Sequence, residues 1–283
     1  MSRPPMPKAT IALYKDFLRT GRGADRTTAA LANALAARGY DVRVITQQGA
    51  REPLSVTFAP GVTCHRVRPV SLRSVAAFVN KLLLRTRLGA RILRLFPALD
   101  LMRRTSRRVQ AVLAAIRPDL ILSSGSNECV ELTYAGPLPA PLIQLFHVYP
   151  PTCFASNKYR RADRFRAALP LAAECQVLLP AFRDLLRPYT QAPVAAIGNA
   201  IDWPADEPLP DPAGREKTIV YVAYFTKDKN HLQLIEAFAR LRRAEDWTLC
   251  LYGSGRPEWE RRLRAKAQAE GVAGRVRFFG VTR

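Results

Sequence analysis

Apolar positions along this chain fall into short runs separated by helix-length amphipathic stretches. Thr10 to Tyr14, Asp41 to Thr46, Val62 to Val67, Asp119 to Ser123, Pro141 to His147, Cys175 to Leu179 and Pro193 to Ile197 are the runs, and their length and flanking turn residues predict buried strands. Between most of them the spacing is helical. In Ala24 to Arg38, small or apolar residues recur at Thr28, Leu31 and Leu35, and Gly39 stops the pattern. Strands alternating with helices predict βαβ units and a parallel sheet.

From Asp202 to Lys217 the pattern breaks, with prolines at 204, 208, 210 and 212 and acids at Asp202, Asp206, Glu207, Asp211 and Glu216. This reads as a surface linker beside a domain boundary. Periodicity then resumes as strand 218 to 223, helix 231 to 243, strand 247 to 252, helix 257 to 270 and strand 275 to 280. Pro257 suits the first position of its helix, with Glu258 and Glu260 near the positive end and Gly271 after the last turn. The expectation is a complete N-terminal Rossmann-like domain over 1–198, followed by a βαβαβ half of a second over 199–283.

Length and composition agree with this division. The 283 residues suffice for about two domains, and 48% hydrophobic content argues for packed cores. A formal charge of +21 points to an anionic partner, whether membrane lipid, nucleic acid or a phosphorylated substrate. Cys64, Cys129, Cys153, Cys175 and Cys250 are widely spaced and read as reduced core residues of a cytoplasmic protein. No apolar signal region follows the basic N-terminus, and no run of about 18 uncharged apolar residues occurs. Any membrane contact is therefore expected to be peripheral.

Candidate chemistry sits at the predicted strand ends. Gly21-Arg22-Gly23 lies between the first strand and first helix, where backbone amides can approach a phosphate. A tight turn that needs glycine explains it equally well. A dinucleotide fingerprint is excluded, because its third small residue is Arg26 and the second strand ends without an acid. His147 ends an apolar run, the place where open α/β sheets put ligands, although a buried structural histidine fits the position as well. Ser124-Gly125-Ser126-Asn127-Glu128 follows another strand, and a cleft loop or a helix start capped by Ser126 or Asn127 fits it equally. Lys227 and Lys229 precede a helix beginning near Asn230, so cations and helix amides converge as a diphosphate requires. Gly253-Ser254-Gly255-Arg256 repeats that arrangement at the next strand end.

Residues 71–117 carry eleven Lys or Arg against one acid, Asp100, on two amphipathic helix patterns. Such helices can lie on anionic lipid, and they can equally be the solvated outer face of helices packed on a sheet. Nucleic acid is the weaker partner, since only Phe78 and Phe96 supply aromatic surface among the cations.

With those loops in place, the chain resembles a GT-B glycosyltransferase of family 4 along nearly its whole length. The resemblance implies an N-terminal domain that holds the acceptor and a C-terminal domain that holds a nucleotide sugar. It matches the first-loop glycines to Gly21 and Gly23, the cleft histidine to His147 and the asparagine after the interdomain strand to Asn199. It also matches the phosphate lysine to Lys229 and the glycine loop to Gly253 and Gly255.

What the resemblance implies is a retaining hexosyltransferase without metal or other cofactor; the basic helices suggest a lipid-linked or cell-envelope glycan as acceptor, met on the cytoplasmic side of a membrane. His147 and Lys229 would serve the reaction. Asn199, Tyr224, Lys227, Gly253 and Gly255 would line the donor, and Gly21, Arg22, Gly23, Asn127 and Glu128 the acceptor or phosphate loop.

Three departures qualify it. Ala223-Tyr224-Phe225 stands where the family often has Gly-Arg-Leu, so Tyr224 replaces the diphosphate-binding arginine and Lys227 is the substitute cation. No pair of glutamates stands eight positions apart, so the Glu-x7-Glu donor segment is absent. The sequence stops at Arg283, where the family continues its donor sheet. A truncated, non-catalytic binding module is thus the alternative, and the C-terminal half is expected to be the less stable, with β-sheet edge and apolar cover lost at Val276 to Phe279.

Overall fold

The computed structural model describes residues 8–19, 21, 23–68, 79, 82–83, 86–96, 99–155, 161–199, 211–241 and 245–281. Arg22, the 71–78 part of the basic stretch and most of the proline-rich linker lie outside the described residues. The chain forms two compact units, Met1–Asp202 and Trp203–Arg283, so Asn199 belongs to the N-terminal one. The boundary drawn from sequence at 198/199 lies a few residues before this division.

The N-terminal unit has seven strands: β1 Thr10–Tyr14, β2 Asp41–Thr46, β3 Val62–Arg66, β4 Leu120–Ser123, β5 Leu142–Leu145, β6 Glu174–Val177 and β7 Val194–Ala196. All pair in parallel, in the order β3-β2-β1-β4-β5-β6-β7. β1 therefore sits where the winding direction reverses. Tyr14 is in register with Ile45 on one side and Ser123 on the other, which brings three chain exits together at one edge.

Helices cover both faces. α1, Gly23–Ala37, packs Ala32 and Leu35 over Leu13, Val42 and Val44. α2 (Arg87–Leu95) follows β3, and on the opposite face are α3 (Leu101–Ile116), α4 (Ser126–Thr133), the short α5 (Pro151–Ala155), α6 (Arg161–Ala168) and α7 (Ala181–Leu186). There Val109, Leu113, Leu132 and Phe165 pack with Ala12, Tyr14, Ile121 and Phe146. Asp100 caps α3, its carboxylate accepting the Met102 and Arg103 N–H groups at 3.1 Å each, and Arg117 ends the helix in the left-handed region.

The C-terminal unit has β8 (Thr218–Val222), α8 (His231–Ala239), β9 (Thr248–Tyr252), α9 (Pro257–Ala269) and β10 (Val276–Phe279), with strand order β10-β9-β8, all parallel. Both crossovers run the same way, so right-handedness places α8 and α9 on one face of the sheet. Ile235, Phe238, Leu263 and Ala267 there bury Leu249, Leu251 and Val276.

Consequently the cover that sequence expected β10 to lose is present on that face, and Val276 is buried. The exposed apolar surface lies instead on the opposite side of β8, where Val220 is 56% and Val222 72% exposed.

Candidate active site

Open α/β sheets bind ligands outside the carboxyl ends of the strands at the point where strand order reverses. In the N-terminal unit that point is the β1/β4 junction. The apolar residues of β1 are buried, and the next two residues, Lys15 and Asp16, are polar and held by the exit of β2: the Lys15 N–H donates to the Ile45 carbonyl at 3.0 Å and the Gln47 N–H to the Asp16 carbonyl at 2.7 Å. The Lys15 ammonium pairs with both Asp16 and Glu128. Glu128 comes from the first turn of α4, and Gly125 makes room for it, since a Cβ there would stand 2.6 Å from Glu128 Oε2.

Three carboxyls share this pocket of low polarity. Burial pushes Glu128 up to about 7, helped by the Asp16 charge and opposed by Lys15. Glu131, one turn along α4, accepts the Tyr14 hydroxyl at 2.6 Å and Gln47 Nε2 at 2.7 Å. Burial pushes Glu131 up to about 8 against the Tyr14 hydrogen bond. Burial alone would push Lys15 down, but the Glu128 and Asp16 charges outweigh it and hold the ammonium well above its ordinary range. Near neutral pH the cluster thus holds a fixed cation beside two glutamates, Glu128 and Glu131, that burial draws toward the protonated form.

His147 leaves β5 at the same edge. Its Nε2 lies 3.3 Å from Ser124 Oγ, which is 2.8 Å from Thr28 Oγ1 on α1. Burial lowers its pKa; Asn199 opposes that and the Lys15 charge adds to it, so the imidazole is neutral at pH 7. Nδ1 is buried and has no hydrogen-bond partner within ordinary distance among the described residues. A neutral imidazole with one free nitrogen can accept or donate a hydrogen bond to a bound hydroxyl.

The structure therefore brings His147, Asn199 and Glu128 to one edge with Ser124. Asn127 is exposed on the outside of α4. Neither Ser126 nor Asn127 is a cap, because the helix begins after Gly125 with no side-chain cap bond and both residues already lie inside it. Gly21 has φ +61°, which favours glycine, whereas a Cβ on Gly23, the first residue of α1, would meet nothing within 4 Å.

In the C-terminal unit, Lys227 and Lys229 lie in a single 3-10 turn after β8, both exposed. Among the described residues Lys227 has no ion pair, and Lys229 Nζ has Asp228 at 3.8 Å. α8 follows with Asn230 at its N-cap in the left-handed region and no side-chain cap, which leaves first-turn amides unsatisfied. Tyr224, 41% exposed, stands at the same strand end.

Gly253 and Gly255 allow two loops to approach closely. Cβ atoms there would stand 2.0 Å from the Ala223 carbonyl oxygen and 2.5 Å from that of Phe225. The glycines let the two loops run side by side, the Ala223 N–H bonding the Tyr252 carbonyl at 3.0 Å and the Phe225 N–H the Ser254 carbonyl at 2.8 Å.

Sequence reasoning passed over Lys15, Asp16, Glu131, Gln47 and His231. A signal for the first two was present: a Lys-Asp pair directly after a fully apolar strand at the point of reversal. Glu131 lies three residues after Glu128 on the same helix, a spacing that puts both on one face. His231 is 2% exposed and wedged edge-on against Tyr221 and Phe225, with ring centroids 4.9 and 5.1 Å away. Among the described residues no group of three or more His, Cys, Asp or Glu side chains is arranged to hold a metal ion.

Family models match both units: the model described as Glycosyltransferase Family 4 over residues 21–203, and that described as Glycosyl transferases group 1 over 205–283. No protein among the curated sequences matches the chain significantly. Solved structures share the fold. Sucrose-phosphate synthase from Thermosynechococcus elongatus has a TM-score of 0.69 at 19% identity, over 97% of this chain and 71% of its own. WaaG, a glycosyltransferase involved in lipopolysaccharide biosynthesis, has 0.63 at 17%, over 96% and 70%. Anabaena HepE, in complex with UDP-glucose, has 0.59 at 14%, over 97% and 70%. The parallel doubly wound N-terminal sheet, the βαβαβ unit after it and a family model spanning most of the chain place it together: it belongs to glycosyltransferase family 4.

Proposed function

We propose that this glycosyltransferase moves a hexose from a nucleotide sugar to a lipid-linked or cell-envelope glycan, with retention at the anomeric carbon and without a metal ion. The observation that carries the donor part is the convergence of Lys227, Lys229 and the uncapped start of α8 at the end of β8. In the reaction the bond from the anomeric carbon to the diphosphate breaks, the acceptor oxygen bonds to that carbon, and the acceptor proton leaves with the diphosphate. Lys229, assisted by Lys227, neutralises the charge that grows on the departing group, the part a divalent cation plays elsewhere. Asn199, Tyr224, Gly253 and Gly255 are assigned to the donor side.

On the acceptor side His147, neutral and with Nδ1 unpartnered, contacts the transferring sugar. Gly21, Gly23 and Glu128 are assigned to the acceptor loop, whereas Asn127, on the outside of α4, is left out of it. WaaG and the UDP-glucose complex of HepE support a glycan acceptor and a nucleotide-sugar donor by likeness of fold. The cytoplasmic side of a membrane is the location that fits such substrates.

A second reading is that the chain binds acceptor or donor without turnover. The two readings separate in one assay. Nucleotide hexoses are incubated with glycolipid acceptors in EDTA, and nucleoside diphosphate release and product anomer are measured. Transfer in EDTA with retained configuration is expected. Lys229→Ala should lower kcat/KM about 100-fold, near 3 kcal/mol, and a loss below about fivefold would remove the lysine from its role. Acceptor binding without diphosphate release would establish the binding module.

A further inference from the structure

Two buried hydroxyls and the His147 ring form a short chain of hydrogen bonds at the strand exits. Thr28 sits in the second turn of α1, 1% exposed, and its hydroxyl lies 2.8 Å from the Ala24 carbonyl. Ser124, 5% exposed, follows β4; its N–H donates to the Tyr14 carbonyl at 3.2 Å and its Oγ stands 2.8 Å from Thr28 Oγ1. His147 Nε2 is 3.3 Å from the same Ser124 Oγ. The relay thus crosses from α1 through the exit of β4 to the exit of β5.

Protons decide its direction. A carbonyl only accepts, so Thr28 donates to Ala24. Thr28 Oγ1 then has only lone pairs to offer, and the Ser124 hydroxyl donates to it. Ser124 Oγ in turn has only lone pairs left for the ring, so Nε2 carries the proton and Nδ1 is bare. With the ring proton on Nδ1 instead, Ser124 would turn its own proton to Nε2, and somewhere along the relay two oxygens would face each other at 2.8 Å with no proton between them. The first arrangement makes three hydrogen bonds and the second two, in a buried place where a missing one costs most. The Asn199 side chain also interacts with the ring, but an amide can turn either its oxygen or its nitrogen and so imposes no tautomer.

We propose that Ser124 and Thr28 are positioning residues that hold His147 as the Nε2–H tautomer, so that the nitrogen left for substrate is a hydrogen-bond acceptor matched to a sugar hydroxyl. Nδ1 is buried without a partner among the described residues, and a hydroxyl that donates to it removes that deficit. A ring oxygen or a deoxy position brings no proton and gains nothing there, so the relay selects a hydroxyl at that place in the transferring sugar. The inference rests on the reading that His147 meets that sugar. The tautomer, however, is a property of the free chain and is read without donor or acceptor.

The ring nitrogens of the full chain are isotope-labelled and observed by NMR at about pH 8, above the lowered pKa of His147, with free histidine measured alongside. His147→Gln identifies its signals among those of the three histidines. The chain should favour the Nε2–H form roughly tenfold beyond the balance of free histidine, the ratio that one ordinary hydrogen bond sets. Ser124→Ala should return His147 to within about twofold of the free balance. Thr28→Val, which releases the Ser124 proton to turn to Nε2, should move it past that balance toward Nδ1–H, and Thr28→Ser, which keeps the hydroxyl, should restore the parent's ratio. A parent ratio no greater than that of free histidine overturns the proposal whether or not a variant folds, and so does the parent's ratio in both Ser124→Ala and Thr28→Val. Nucleotide hexoses are then added in turn. A bound one should shift Nδ1 as a hydrogen-bonded acceptor while Nε2 stays protonated; binding that leaves Nδ1 unmoved overturns the sugar contact. Absence of binding across the series, with the expected ratio intact, sinks the transfer reading and leaves the relay standing.

Discussion

Glu131 is a carboxyl with no cation of its own. Lys15 pairs with Asp16 and Glu128, leaving Glu131 with the Tyr14 hydroxyl and the Gln47 amide. Its pKa is pushed up to about 8 and that of Glu128 to about 7, so the folded chain holds protons that an unfolded chain releases near pH 4.5. Stability contributed by these protons is full below the unfolded pKa and is lost as pH rises through the folded values. Denaturation midpoints should therefore fall between pH 6 and 8, by up to about 1.4 kcal/mol per pH unit for each proton. Glu131→Gln should flatten that slope; a variant with the parent's pH dependence would show that Glu131 ionises normally.

His147 has the opposite sign, since its lowered pKa costs stability only as pH falls below about 6.5. The sequence marked His147 and Glu128 because each follows an apolar run. It left Glu131 and Gln47 unmarked because their importance arises from register: Tyr14 meets Glu131 only when β1 lies beside β4 and α4 folds back over it.

At the scale of elements the hydrophobic pattern was legible almost throughout. Thr10–Tyr14 and Asp41–Thr46 form over the predicted residues, and the other strands differ by a residue or two at their ends, where polar exits decide the boundary. Helix 231 to 243 was overextended; α8 ends at Ala239, with Arg240 at its C-cap. What periodicity could not supply is which loops touch. The glycines at 253 and 255 let the β8 and β9 exits run side by side, a contact that periodicity along the chain does not reveal.

Gly253→Ala should therefore destabilise the C-terminal unit by about 2–4 kcal/mol, because its φ of +148° and the Ala223 carbonyl both exclude a methyl group. Gly23→Ala, with open space at its Cβ, should be neutral or stabilise by up to about 1 kcal/mol. Thermal melts of the two variants check the contrast, and equal melting temperatures would refute it.

Across the whole molecule, two units present polar loops at the carboxyl ends of parallel strands, one with buried carboxyls around a lysine and one with exposed lysines before a helix. The proposed function assigns them unequal ligands, a hydroxylated acceptor to the first and a diphosphate to the second. The chain spans about 70% of the length of the solved structures it resembles, and the fold likeness carries no donor base or sugar. Among the described residues no helix is long and apolar enough to cross a membrane.

In the proposed function the C-terminal unit holds the donor diphosphate through Lys229. Calorimetric titration of the full chain with a panel of nucleoside diphosphates, repeated on Lys229→Ala, tests it most directly. At least one diphosphate should bind, and the substitution should weaken it roughly tenfold or more, as for a charge-assisted phosphate contact. No binding across the panel, or equal affinity in the variant, would contradict it.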